Sequence, residues 1–331
     1  MFRLTDMVKD RELLASQLFG APSIKINGKN RVHVLALGDV GGMLVTGLKL
    51  LGGDVISILG IYDVNENVKK RYEYEMNQIA YPWDYDALPE VHVIEKEELF
   101  QCDVFVFCAS KGVPGLGTNV KDVRMAQLEA NAALIGEYAK MARDSNFQGL
   151  FAVISDPVDP LCKAAYLSSN QDEAGETDGK GLKANQIQGY GLGVMNSRAA
   201  YFAKKEPRFK SFLSEGRAFG PHGADLIIAN SIKNYDDKLS QELTKLTVEA
   251  NLKVRKTGFK PFIAPALSSG AISLLLTLRG EWHYSSNILG DVYMGSRNRM
   301  TESGVEIENN PLPELLYRRI EKAYKNLQSI M

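Results

Sequence analysis

The segment Ala36-Leu37-Gly38-Asp39-Val40-Gly41 has the glycine spacing that lets a chain turn sharply, offer bare backbone to a ligand and enter a helix. A helix starting there presents unpaired N–H groups and the positive end of its dipole, and both favour a bound phosphate. The pattern is G-x-G-x-x-G with Ala36 at the first glycine position, a departure that requires a negative φ at Ala36. Gly38 would let a pyrophosphate approach and Gly41 would let helix and strand pack closely. Ala36, Gly38, Asp39, Val40 and Gly41 are therefore the expected cofactor-binding turn. Asp63 follows Gly38 by 25 positions, at the end of the apolar run VISILGIYDV. A carboxylate there hydrogen-bonds an adenosine ribose diol and repels a 2′-phosphate, so the expected cofactor is NAD rather than NADP.

Further along lie Arg124 and Asn131, then Ser155-Asp156-Pro157-Val158-Asp159, then GYGLGVMNSR ending at Arg198, then GPHG around His222. Arg124 precedes Asn131 by seven positions, Gly189 precedes Arg198 by nine, and Arg198 precedes His222 by 24. In this order and spacing, the chain from about Arg31 onward resembles the lactate/malate dehydrogenase family. The resemblance implies hydride transfer between NAD and a 2-hydroxy or 2-oxo acid. Reducing the oxo acid also needs a proton on the carbonyl oxygen, which an imidazolium supplies near neutral pH, and the resemblance gives that role to His222. It gives Arg198 the substrate carboxylate, which calls for a planar bidentate partner. Arg124, on a loop that closes over the substrate, would polarise the carbonyl and exclude water. Asn131 joins the cofactor-binding set, and Ser268 or Ser269 falls where the family has a small hydroxyl residue beside the substrate. A homo-oligomer, dimer or tetramer, is implied as well.

The chain also departs from the family. A carboxylate three positions before the gripping arginine normally pairs with the histidine, and Met195 stands there. A thioether cannot replace that charge, and Asn196 could serve only as a neutral partner. The family's asparagine in S-N-P-V-D is Asp156, so Asp156 is expected either to pair with His222 or to meet a cationic group on the ligand. The loop CASKGVPGLGTNVKDVR is longer than usual, with Lys111 and Lys121 as candidates for a second anionic group. The substrate is accordingly expected to be an atypical carboxylic acid. The rival reading is a catalytically altered nucleotide-binding sensor or assembly protein on the same fold.

To position these residues, strands must alternate with helices. RVHVLAL, VISILGIYDV, VHVIE, CDVFVFCAS and GLFAVIS read as buried strands, KKRYEYEMNQI and Val123 to Ala142 as helices. That alternation predicts an α/β fold, an N-terminal Rossmann doubly wound parallel sheet with a C-terminal α+β substrate domain. The expected division is an extension over 1–30, an NAD-binding domain over 31–160 and a substrate domain over 161–331. Pro157 and Pro160 are read as bracketing a turn, SSNQDEAGETDGKG as an exposed insertion loop, and ELLYRRIEKAYKNLQSI as a final amphipathic helix.

The 331 residues are 45% hydrophobic and 24% charged with a net charge of −1, which fits a globular protein and offers no broad field for nucleic acid or an anionic membrane. No apolar run reaches membrane-spanning length and no signal-peptide pattern opens the chain, so a cytoplasmic location is expected. Cys102, Cys108 and Cys162 lack metal-ligand spacing and read as reduced, structural thiols, and no metal is expected. His33, His92 and His283 are read as structural.

Overall fold

In the computed structural model the described residues are 2–111, 123–223 and 225–330, with 123–127 described as helical backbone only. One nine-stranded sheet runs through the molecule. Its strands are β1 (Asn30–Leu35), β2 (Ile56–Tyr62), β3 (Glu90–Val93), β4 (Val104–Phe107), β5 (Leu150–Val153), β6 (Ile187–Gly189), β9 (His283–Leu289), β10 (Val292–Thr301) and β11 (Gly304–Ile307). A separate antiparallel pair joins β7 (Arg217–Phe219) to β8 (Ile227–Ala229). Strands β1 to β6 are parallel in the order 3-2-1-4-5-6, and β9 extends the sheet antiparallel beside β6. This is the doubly wound Rossmann order, whose ligands lie at the carboxyl ends of the strands where the order reverses, between β1 and β4.

Alternation along the strands gives the sheet two apolar faces. Val32, Val34, Val104, Val106, Leu150 and Ala152 pack on one side against the helix Asp39–Leu51 and the helix Ser273–Leu278 through Leu44, Leu48, Leu274 and Leu278. Leu35, Phe105, Phe107, Phe151 and Val153 face the other side, where the helices Val123–Asp144 and Val158–Ser169 supply Ile135, Tyr138, Leu161 and Cys162. His33 and His283 are buried and hydrogen-bonded to main-chain carbonyls, while His92 is half-buried beside Glu90. The three cysteines are free thiols.

Several expectations change. The sheet does not stop near residue 160, since β6 and the antiparallel strands β9 to β11 continue it. Residues 2–18 pack on the far end of the chain, with Phe2 stacked on Tyr317 at 4.6 Å. Pro157 and Pro160 do not bracket a turn: Pro157 caps the helix Val158–Ser169 and Pro160 lies in its first turn, where a missing N–H goes unnoticed. The exposed loop after it is pinned by the Arg143–Asp178 pair, in which Arg143 Nη1 donates to Asp178 Oδ1 at 2.9 Å. The final helix forms as expected over Glu314–Gln328. Among the described residues no helix is long and apolar enough to cross a membrane.

Candidate active site

The phosphate turn leaves β1 at Leu35 and enters the helix at Asp39, with Gly38 as its N-cap. Ala36 has a φ of +73°, so the expectation of a negative φ is overturned. The backbone takes the left-handed conformation that a glycine would take, and Ala36 bears its steric cost of about 1–2 kcal/mol. Gly41 explains why the chain bends that way: a Cβ there would lie 1.9 Å from the Ala36 carbonyl oxygen, so only glycine lets the turn fold over the helix. A Cβ on Gly38 would meet nothing within 4 Å, which leaves open space beside a helix end that no side chain caps. Asp63 closes the far side. Its Oδ2 accepts from Leu37 N at 2.8 Å and its Oδ1 from Asn65 N at 2.9 Å, which fixes the carboxylate while leaving a lone pair on each oxygen. These features fit a dinucleotide.

Across the carboxyl ends of the strands opens a cleft of about 700 Å³, lined among others by Asp39, Val40, Asp156, Met195, Arg198, His222, Arg255 and Lys260. Arg198 is on the helix Leu192–Lys205, one turn beyond Met195, and its Nη1 lies 3.6 Å from the Met195 sulfur. Burial holds its guanidinium somewhat below the usual range, and the Asp156 charge opposes that effect. Among the described residues Arg198 makes no ion pair within 4 Å, so its fork is available to an anion.

His222 is carried by the loop between β7 and β8. Its Nδ1 donates to the Gly191 carbonyl at 2.9 Å, which leaves Nε2 as the ring atom available to a ligand. The expected bond from Asp156 is absent from the described contacts, and the place of the missing carboxylate is taken by a main-chain carbonyl. Asp156 instead lines the cleft within electrostatic reach of Arg198.

A second carboxylate escaped the sequence reading. Asp159 is buried, accepts from Ser286 Oγ at 2.6 Å and lies 3.4 Å from the backbone N of His222. Burial pushes its pKa up to about 6, while the Ser286 bond and the nearby His222 charge act the other way. It stands in the Ser155-Asp156-Pro157-Val158-Asp159 segment already singled out, and the signal was the buried register of a helix's first turn.

Other sequence-derived residues turn out to be braces. Asn131 is fully buried; its Nδ2 donates to the Asp156 carbonyl at 2.9 Å and its Oδ1 accepts from Lys111 N at 3.0 Å, so it ties two strand-end loops together rather than offering its amide to a cofactor. Ser269 is likewise buried, donating to Gly191 O and accepting from Val194 N, both at 2.8 Å, and neither Ser268 nor Ser269 lines the cleft. The Arg124 side chain and Lys121 lie outside the described residues, and Lys111 is exposed.

No protein-family model matches the chain. In sequence it is similar to an L-lactate dehydrogenase of Treponema denticola, 27% identical over 198 residues, which are 59% of this chain and 55% of that one. It is 25% identical over 179 residues to that of Staphylococcus haemolyticus, covering 54% and 50%. The chain thus spans about half the length of these curated relatives. A longer match, 24% identical over 283 residues and covering 84% of the relative, is to the L-lactate dehydrogenase of Staphylococcus epidermidis. In fold it is similar to a minor L-lactate dehydrogenase of Enterococcus mundtii, with a TM-score of 0.72, 18% identity and 91% and 97% of the two chains covered. The malate dehydrogenase of Archaeoglobus fulgidus, solved in complex with NADH, gives a TM-score of 0.69 at 16% identity, covering 91% and 98%. The chain is thus similar in sequence to L-lactate dehydrogenases at 24–27% identity, and its fold is that of solved lactate and malate dehydrogenases.

Proposed function

We propose that this chain is an NAD-dependent oxidoreductase acting between a 2-hydroxy and a 2-oxo acid. The observation that carries the reading is the shared cleft: His222 and Arg198 line the same space as Asp39 and Val40 of the phosphate turn. The bare backbone of the turn Ala36, Gly38, Asp39, Val40 and Gly41 would hold the pyrophosphate, Asp39 through its main chain alone, with Asp63 on the ribose, and NAD would supply or accept the hydride. Arg198 grips the carboxylate. His222, its tautomer set by Gly191, gives a proton from Nε2 to the carbonyl oxygen during reduction and takes it back during oxidation. Arg124 covers the substrate and polarises its carbonyl, as the family resemblance implies.

The substrate is an unusual acid. Asp156 puts a carboxylate into the cleft where a plain 2-oxo acid would meet repulsion, so a cationic group on the acid is its natural partner. Because His222 Nδ1 meets a neutral carbonyl, a nucleotide-binding sensor or assembly protein is the second reading. The chain is further proposed to act as a homo-oligomer in a reducing, cytoplasmic setting, for its thiols are free and Leu50, Leu51, Phe259 and Ile263 are exposed apolar groups that another copy would cover. Light scattering tests the assembly. NADH oxidation across a panel of 2-oxo acids, including amino-substituted ones, tests the reaction; the oxidoreductase reading expects turnover on at least one, and the sensor expects NADH binding with none.

A further inference from the structure

Asp39 is the first residue of the phosphate helix, and its Oδ2 lies 2.9 Å from Nζ of Lys260. Lys260 comes from the stretch between the helix Ala250–Arg255 and the π-helical turn Pro265–Ile272, 221 positions away, and both residues line the cleft. The pair is open to water, with side chains 80% and 49% exposed, so it contributes little to fold stability. Its location gives it another consequence. A carboxylate at a helix start suits the empty dipole, but it becomes a like charge once a pyrophosphate arrives at the same N–H groups.

We propose that Lys260 is the positioning cation that makes this acidic phosphate turn compatible with a dinucleotide. By holding the Asp39 carboxylate, Lys260 cancels the charge that would repel the pyrophosphate, and it couples the substrate-side wall of the cleft to cofactor affinity. The inference rests on the dinucleotide reading above. It makes the Asp39 carboxylate a penalty that Lys260 removes, while the Asp39 main chain stays part of the phosphate turn.

The test is a double-mutant cycle on the full chain, with NADH affinity read by fluorescence or calorimetry at low salt and in 1 M NaCl. Lys260→Gln should weaken NADH roughly threefold to tenfold at low salt, as expected for losing one exposed charge near a helix end. Asp39→Asn should bind NADH at least as tightly as the natural chain, and in that background Lys260→Gln should change affinity less than about twofold. Lys260→Arg should keep natural affinity, and the Lys260→Gln effect should fade in 1 M NaCl, where screening acts over about 3 Å. An unchanged affinity in Lys260→Gln, or an equal loss with and without Asp39, overturns the inference while leaving the cofactor site in place. Failure of the natural chain to bind NADH overturns both.

Discussion

His222 Nδ1 and the Gly191 carbonyl oxygen lie 2.9 Å apart, and the glycine is what permits the approach. A Cβ at position 191 would stand 3.0 Å from the His222 Cβ and 3.2 Å from Nδ1. Gly191→Ala is therefore expected to displace the ring. Turnover should fall by at least about tenfold, since ångström-scale misplacement of a proton donor is costly, while NADH affinity stays unchanged. Steady-state kinetics together with NADH binding check this.

Asp156 puts a carboxylate on the wall of the cleft, where under the proposed function it opposes simple anions. Asp156→Asn removes that charge, so KM for unsubstituted monocarboxylic 2-oxo acids should fall, roughly threefold to tenfold. An acid carrying a cationic group should lose affinity instead. Opposite movements of the two KM values are the expected outcome of assays on both acids.

Burial pushes the Asp159 carboxyl up to about 6 in the folded chain, from about 4 for an ordinary aspartate. Its raised pKa means that the folded state binds the proton more tightly than the unfolded state. The associated stability is fully present below pH 4 and is lost as pH rises through 6, about 3 kcal/mol in all. Urea unfolding at pH 4.5, 5.5 and 7 should show this component in the natural chain and not in Asp159→Asn. The difference between the two proteins isolates it from other carboxylates.

The phosphate turn tests its own geometry. Ala36→Gly should raise stability by about 1 kcal/mol, because a left-handed φ is free for glycine and costly for alanine. Gly41→Ala should lower it by roughly 2 kcal/mol or more, because the new methyl group collides with the Ala36 carbonyl. Thermal or urea unfolding reads both.

The parallel half of the fold was legible because its strands are buried on both faces and read as apolar runs, from Val32 and Val34 to Phe105 and Phe107. Strands β9 to β11 were not. Ser285, Ser286, Asn287 and Asn298 are buried polar residues that satisfy one another or reach Gln188 and Asp159, so they break the apolar pattern that marks a strand. In the site, spacing brought Arg198 and His222 to one cleft. The partner of His222 was hidden because a main-chain carbonyl leaves no residue type to read. The same limit applies to Asn131 and Ser269: their side chains suit a ligand, and only the fold shows that backbone groups already occupy them.

The most direct measurement is NADH oxidation at neutral pH across 2-oxo acids for the natural chain and for His222→Ala, with NADH affinity measured in both. The account predicts turnover on at least one acid, a fall of about 10²–10⁴ in kcat for His222→Ala, and unchanged NADH binding. NADH binding with no turnover on any acid, or turnover indifferent to His222, would contradict it.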